Sequence, residues 1–157
     1  MKNIVLVRID DRLIHGQIMT QWSRLYSPTE IMVVDDETCR DSFMTEVLLM
    51  AVPKEFKAVV ADVDRAAEYL LQEAGEERIL MLVKVPETVE ALVDRGVEIR
   101  ALNVGGMCKR AGRSTLYRNI SSSPAENETL LRLQKRGVRV YVQVVPEDKE
   151  MEIDKVL

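Results

Sequence analysis

An α/β fold, with a parallel sheet between two helix layers, is what this sequence predicts, and two patterns predict it. Short, near-continuous runs of Val, Ile and Leu recur along the chain, the composition of strands covered on both faces. Between them lie stretches with apolar residues at helical spacing. Repeated strand–helix–strand units imply right-handed crossovers and therefore parallel strands. Such sheets bind ligands at the carboxyl ends of their strands.

The expected strands are residues 3–9, 30–34, 57–61, 78–84 and 99–103. Helical spacing covers residues 17–25, with Ile18, Trp22 and Leu25 on one side. It returns over 41–51, with Phe43, Val47, Leu48 and Met50, and over 64–72, with Ala67, Leu70 and Leu71. Residues 86–95 open on a proline suited to a first helical position and stop at Gly96. Further on, 115–120 reads as a short strand, 124–137 as an amphipathic helix and 138–145 as a last strand. Residues 147–157 are charged, with a weak apolar tail of Met151, Ile153, Val156 and Leu157. No linker, repeat or low-complexity segment interrupts the pattern, so 1–157 reads as one domain.

With one Trp, two Phe and four Tyr, packing falls to aliphatic residues and Met. Met44, Met50, Met81 and Met107 are read as packing residues. A net charge of −4 excludes a general nucleic-acid binder, which needs a basic face. Cys39 and Cys108 have no metal-ligand spacing and are read as unreactive. The first residues, MKNIVLVRIDDRLIHG, make neither a secretion signal nor a membrane span. The chain is expected in the cytoplasm, with any membrane association coming through a partner.

The chemistry concentrates after the first strand, in Arg8-Ile9-Asp10-Asp11-Arg12-Leu13-Ile14-His15-Gly16-Gln17, which holds the only histidine. Imidazole accepts and donates phosphate near neutral pH. Phosphoryl transfer needs positioning and charge stabilisation more than covalent machinery. Arg12 offers a forked guanidinium to phosphate oxygens. Gly16, Gln17 and Ile18 offer backbone N–H groups at a helix start. Asp10 is suited to orient Arg12 or to bind a ring N–H of His15. A phosphoryl carrier, a phosphate binder and a solvated ion-pair loop with a bystander histidine all fit these residues.

The ten-residue segment resembles the phosphorylation site of the IIB subunits of the mannose/sorbose-type bacterial sugar phosphotransferase system. The resemblance continues through Val33-Val34-Asp35-Asp36-Glu37, Leu102-Asn103-Val104-Gly105-Gly106-Met107, Gly112-Arg113, Lys135-Arg136-Gly137-Val138 and Val144-Val145-Pro146-Glu147-Asp148, so it spans essentially the whole chain. It implies a three-layer α/β/α fold whose predominantly parallel, twisted sheet has about seven strands, one edge strand running antiparallel. It implies that His15 takes phosphate, on Nδ1, from a phosphohistidine of a IIA partner and gives it to a sugar carried by the membrane subunits IIC and IID. It makes Arg12 a phosphate-stabilising residue and Asp10 a shaper of the loop, with Gly16, Gln17 and Arg8 as expected phosphate contacts. It calls for no metal and no cofactor. Asp35 departs from the Asn common in relatives, and an extra carboxylate would repel phosphate unless it turns away. Met107-Cys108-Lys109-Arg110 is also an uncommon spelling.

Other features have plain readings beside functional ones. Asp36 or Thr38 is expected to cap a helix. Gly105-Gly106 reads as a phosphate cradle or as a tight turn. Lys109, Arg110, Arg113 and Arg118 read as a solvated loop or as a docking surface for an acidic partner. A receiver-type signalling domain is the rival function, with Asp10, Asp11, Asp62 and Lys84 around an aspartyl phosphate and a divalent metal. A non-catalytic phosphosugar-binding module is a third.

Overall fold

In the computed structural model, which describes residues 1–157, the aliphatic runs become strands of one seven-stranded sheet. The strands are β1 (Ile4–Asp10), β2 (Glu30–Val34), β3 (Lys57–Ala61), β4 (Ile79–Val83), β5 (Ala101–Gly106), β8 (Arg139–Val142) and β9 (Met151–Glu152). β6 (Ser114–Tyr117) and β7 (Ile120–Ser122) form a separate antiparallel hairpin. The sheet order is β3-β2-β4-β1-β5-β8-β9. Every pair is parallel except β8 with β9, so β9 is the antiparallel edge.

Helices cover both faces. α1 is a π-helical segment, Ile18–Trp22, that continues into one α-helical turn, Ser23–Tyr26. α2 (Asp36–Arg40) and α3 (Ser42–Met50) follow β2, α4 (Val63–Leu70) follows β3, α5 (Pro86–Asp94) follows β4 and α6 (Pro124–Lys135) precedes β8. α4, α5 and α6 bury Ala66, Leu70, Val89, Leu92, Leu130 and Leu133 in a core of 26 residues. A core of ten residues on the opposite face holds Leu13, Ile14, Ile18, Trp22 and Leu48 beneath α1 and α3. Side chains alternate along β1, so Val7 and Ile9 enter the larger core, while Leu6 and Arg8 face α1. The chain leaves β1 over one face and leaves β4 over the other. The carboxyl end of β1 therefore lies where connections diverge, the position at which such sheets bind ligands.

Several elements differ from the sequence reading, each for a physical reason. The strand expected at 115–120 is the β6–β7 hairpin, turned at Arg118 with φ of 51°. The strand expected to run to 145 stops at Val142, because the next two carbonyls serve a buried arginine. The fifth strand starts later than expected and runs through both glycines to Gly106. The charged tail contributes β9, which pairs with Tyr141 and Val142. Leu25 leaves the apolar stripe and is 58% exposed, since a π segment carries extra residues per turn and rotates the following helix. Of the methionines, Met81 and Met107 are buried, but Met44 and Met50 are not.

Candidate active site

β1 ends with Asp10, and the next residues turn sharply back. The Leu13 N–H donates to the Asp10 carbonyl at 2.8 Å, with Leu13 in the left-handed region at φ 59°. That conformation costs a non-glycine residue about 1 kcal/mol. Burial of the Leu13 and Ile14 side chains offsets it and pins the loop from below. Arg12 and His15, on either side of this apolar pair, are left half exposed and partly exposed.

Asp10 is the centre of the cluster and is fully buried. Its Oδ1 accepts from the Arg12 backbone N–H at 3.2 Å and from Arg12 Nε at 3.1 Å. Its Oδ2 accepts from Arg12 Nη2 at 3.1 Å, from Arg8 at 3.3 Å and from His15 Nε2 at 3.0 Å. Burial pushes the carboxyl pKa up, but hydrogen bonds from His15 and Arg12 and the charge of Arg8 together outweigh it and hold the group at about 2. Asp10 is thus an ionised, acceptor-only partner. The proton of the neutral imidazole must then sit on Nε2, and the lone pair sits on Nδ1. Nδ1 has no partner in the protein, and the His15 side chain is 17% exposed.

Arg12 completes the open side. Its side chain is half exposed, it reaches Gln17 Oε1 at 3.4 Å, and Nη1 is unengaged. Its pKa is raised, first by the Asp10 hydrogen bond, so the charge is permanent. The helix begins at Gly16, and its first backward bond runs from the Met19 N–H to the His15 carbonyl at 3.2 Å. The N–H groups of Gly16, Gln17 and Ile18 precede that bond and point out of the helix start. Asp10, Arg12, His15, Gly16 and Gln17 are therefore brought together as the sequence suggested.

Arg8 stands apart from that group. It is fully buried and donates to Asp10, to Asn103 Oδ1 at 2.5 Å and to the carbonyls of Gln143 and Val144 at 2.9 Å. Its guanidinium lies over the Trp22 ring, 4.5 Å from the centroid. With its nitrogens spent on protein acceptors, Arg8 supports Asp10 rather than reaching a phosphate. Burial lowers its pKa, against the opposing charge of Asp10. The glycines after it in space have a related role. A Cβ built at Gly105 would lie 1.9 Å from Arg8 Cζ, and one at Gly106 would lie 2.7 Å from Asp10 Oδ1. Gly105-Gly106 is neither a phosphate cradle nor a turn, but the space in which two buried charges sit.

A second network begins at Asp11. Its carboxylate accepts from the Cys108 N–H at 2.8 Å, from the Cys108 thiol at 3.2 Å and from Arg113 at 3.3 Å. Arg113 is buried and forms a bidentate pair with Glu126 at 2.9 and 2.7 Å. Glu126 also closes a capping box with Ser123 at the start of α6. The hydrogen bond to Asp11 raises the Cys108 pKa, which keeps the thiol protonated. The basic cluster does not act as one surface: Arg113 is internal, Arg118 pairs with Asp148 at 3.2 Å, and Lys109 and Arg110 are exposed. Asp35 caps α2 through Thr38 and meets Lys84 at 3.5 Å, so its charge is compensated locally. The cap is Asp35, whereas Asp36 accepts from the Val63 N–H. Asp62 caps α4. The receiver-type reading needs Asp62 and Lys84 beside Asp10, but both are committed elsewhere, and two guanidiniums and an imidazole already surround Asp10.

The contacts of Asn103 and Trp22 with Arg8, and the Arg113–Glu126 pair, escaped the sequence reading. The double glycine was the one available signal, because adjacent glycines in a strand mark close approach by another group.

Comparison with known proteins decides the family. A family model described as the PTS system sorbose subfamily IIB component matches residues 4–157. The chain belongs to this phosphotransferase-system IIB family. The IIB chain is 35% identical to the sorbose-specific EIIB component of Klebsiella pneumoniae, over 98% of its own length and 94% of the relative's. It is equally identical to the mannose-specific EIIAB component of Escherichia coli, over 96% of its own length but only 47% of that longer protein. Among solved structures, the IIBSor domain of the Klebsiella pneumoniae sorbose permease matches with a TM-score of 0.91 at 32% identity, covering 98% of this chain and 96% of that one. The sheet with one antiparallel edge is thus the fold of its family, as the resemblance implied.

Proposed function

We propose that this IIB chain is a phosphoryl carrier of sugar uptake, with His15 as the residue that is transiently phosphorylated. One observation carries the proposal: Asp10 holds the Nε2 side of His15 at 3.0 Å, which leaves Nδ1 as the free nucleophile, with Arg12 bound to the same carboxylate. In the first step Nδ1 forms a bond to phosphorus as the N–P bond of a IIA phosphohistidine breaks. Arg12 and the N–H groups opening α1 neutralise the phosphoryl oxygens. In the second step a sugar hydroxyl takes the phosphoryl group from Nδ1 and gives up its proton, and the imidazole returns to its neutral form. Throughout, Nε2–H stays on Asp10, whose negative charge stabilises the ring when it carries positive charge.

The fused EIIAB relative supports a IIA protein as donor. The acceptor is read as a sugar held by the membrane subunits IIC and IID, since the relatives above are sorbose- and mannose-specific. The chain then works on the cytoplasmic side. No helix in it is long and apolar enough to cross a membrane.

Incubation with phosphorylated IIA should add one phosphoryl group, read by intact mass. The linkage should survive alkali and be lost in acid, whereas an acyl phosphate would be lost in alkali as well. ¹⁵N spectra of the imidazole should locate the phosphorus on Nδ1. His15→Ala should abolish labelling with the fold intact, and full labelling of that variant would end the proposal. Arg12→Lys should slow transfer by roughly tenfold or more, because a point charge replaces a fork.

A further inference from the structure

α3 is out of keeping with the rest of the molecule. Phe43, Met44, Val47, Leu48, Leu49 and Met50 make it apolar all round, the composition of a helix that should be buried. Only Leu48 is buried, while Phe43 is 73% and Met50 85% exposed. Phe43, Val47 and Met50 are spaced i, i+4 and i+7, so they form one stripe along the outer face. α3 follows β2, and its first turn therefore starts toward the carboxyl end of the sheet, the end that carries His15. In the chain flanking the stripe, Asp36, Glu37, Asp41, Glu46 and Glu55 are exposed acids, against Arg40, Lys54 and Lys57, the last of which pairs with Glu30.

An apolar stripe with an acidic rim selects among occupants. A second copy of the chain would bring like charges together. An anionic lipid surface would repel the rim. A partner with apolar side chains flanked by Lys and Arg fits both features, and Lys and Arg are in excess in the cytoplasmic loops of integral membrane proteins. Resting on the reading that this chain hands phosphate on at a membrane protein, we propose that the outer face of α3 docks on the basic cytoplasmic loops of the IIC and IID subunits. Phe43 and Met50 are the anchors, and the acidic rim steers the approach. Docking there covers α3 on the flank of the sheet whose carboxyl end carries His15.

The test uses inverted vesicles from cells expressing this chain's IIC and IID, with vesicles lacking both as the control. The unphosphorylated chain should bind the first and not the second, and added salt should weaken binding. Phe43→Ser/Met50→Ser should lower that affinity by roughly tenfold or more, the loss expected for removing anchor side chains. Glu46→Lys should lower it further, while both variants accept phosphate from IIA at the wild-type rate. Unchanged vesicle binding by the double variant would overturn the proposal. So would equal binding to control vesicles, a loss of IIA-dependent labelling in its place, or a wild-type dimer that the double variant splits. If His15 is never labelled by IIA, the carrier reading fails instead, and the vesicle measurement still decides the docking face.

Discussion

Asp10 and Asp11 are adjacent in the chain, yet they serve opposite ends. Asp10 is fully buried and gathers two guanidiniums and the imidazole into one constellation. Asp11 is partly exposed and holds the Cys108 segment and Arg113, and through Arg113 the start of α6. One carboxylate positions the imidazole and the other positions the segment around Cys108. The difference lies in where β1 stops. Asp10 is still in register with β5, opposite Gly106, whereas Asp11 makes its last strand-like bond to the Gly106 carbonyl and then turns out. Burial makes the first carboxylate costly to disturb, and solvent makes the second forgiving.

Asp10→Asn should break this contrast most severely. It leaves Arg8 buried without its counter-ion, which should cost about 3 kcal/mol in urea denaturation. The amide can donate to Nε2 and so favour the wrong tautomer of His15. Phosphate acceptance from IIA should therefore fall by roughly a thousandfold. The same carboxylate gives an acid limb. Its pKa in the folded state, about 2, lies below the ordinary 3.8, so its stabilisation is fully present above pH 4 and is lost as pH falls toward 2. The shift corresponds to about 2 kcal/mol. The variant should lack that part of the acid limb, and an unchanged limb would remove Asp10 from its assigned role.

Gly105→Ala is next. The new methyl group meets the Arg8 guanidinium, which cannot yield because Asp10, Asn103 and two carbonyls hold it. A loss of about 3 kcal/mol is expected, with slower transfer as Asp10 shifts. Wild-type stability would show that the arginine has freedom the packing denies. Asp11→Asn should have the smallest effect. Arg113 keeps Glu126 and the amide still accepts from the Cys108 N–H, so stability should fall by about 1 kcal/mol. Labelling of His15 should change by less than about threefold. A loss as large as that of Asp10→Asn would erase the distinction between the two carboxylates.

Much of this was legible beforehand. Strand–helix alternation and the continuous apolar runs settled the layered parallel sheet, because a strand buried on both faces must be apolar on both. The short spacing from Asp10 to Gln17 put Asp10, Arg12, His15 and a helix start within reach of one another whatever the rest of the fold did. The Arg-Leu-Ile-His order also contained the loop's anchor, since two apolar residues between two polar ones divide it into a buried half and an exposed half.

What the local spelling could not hold was any contact made across the sheet. Arg8 reads like Arg12, and only the Asn103 amide, the Gln143 and Val144 carbonyls and the room left by Gly105 make it internal. Phe43 and Met50 read like core residues, and only the placement of α3 on the outer face of the smaller layer exposes them. Periodicity and neighbouring charge are properties of a segment, so the chain alone determined the first five strands, the main helices and the histidine loop, but not the β6–β7 hairpin or β9. Burial is a property of what other segments bring alongside, so the packed structure alone decided which charge supports the site and which apolar face stays open.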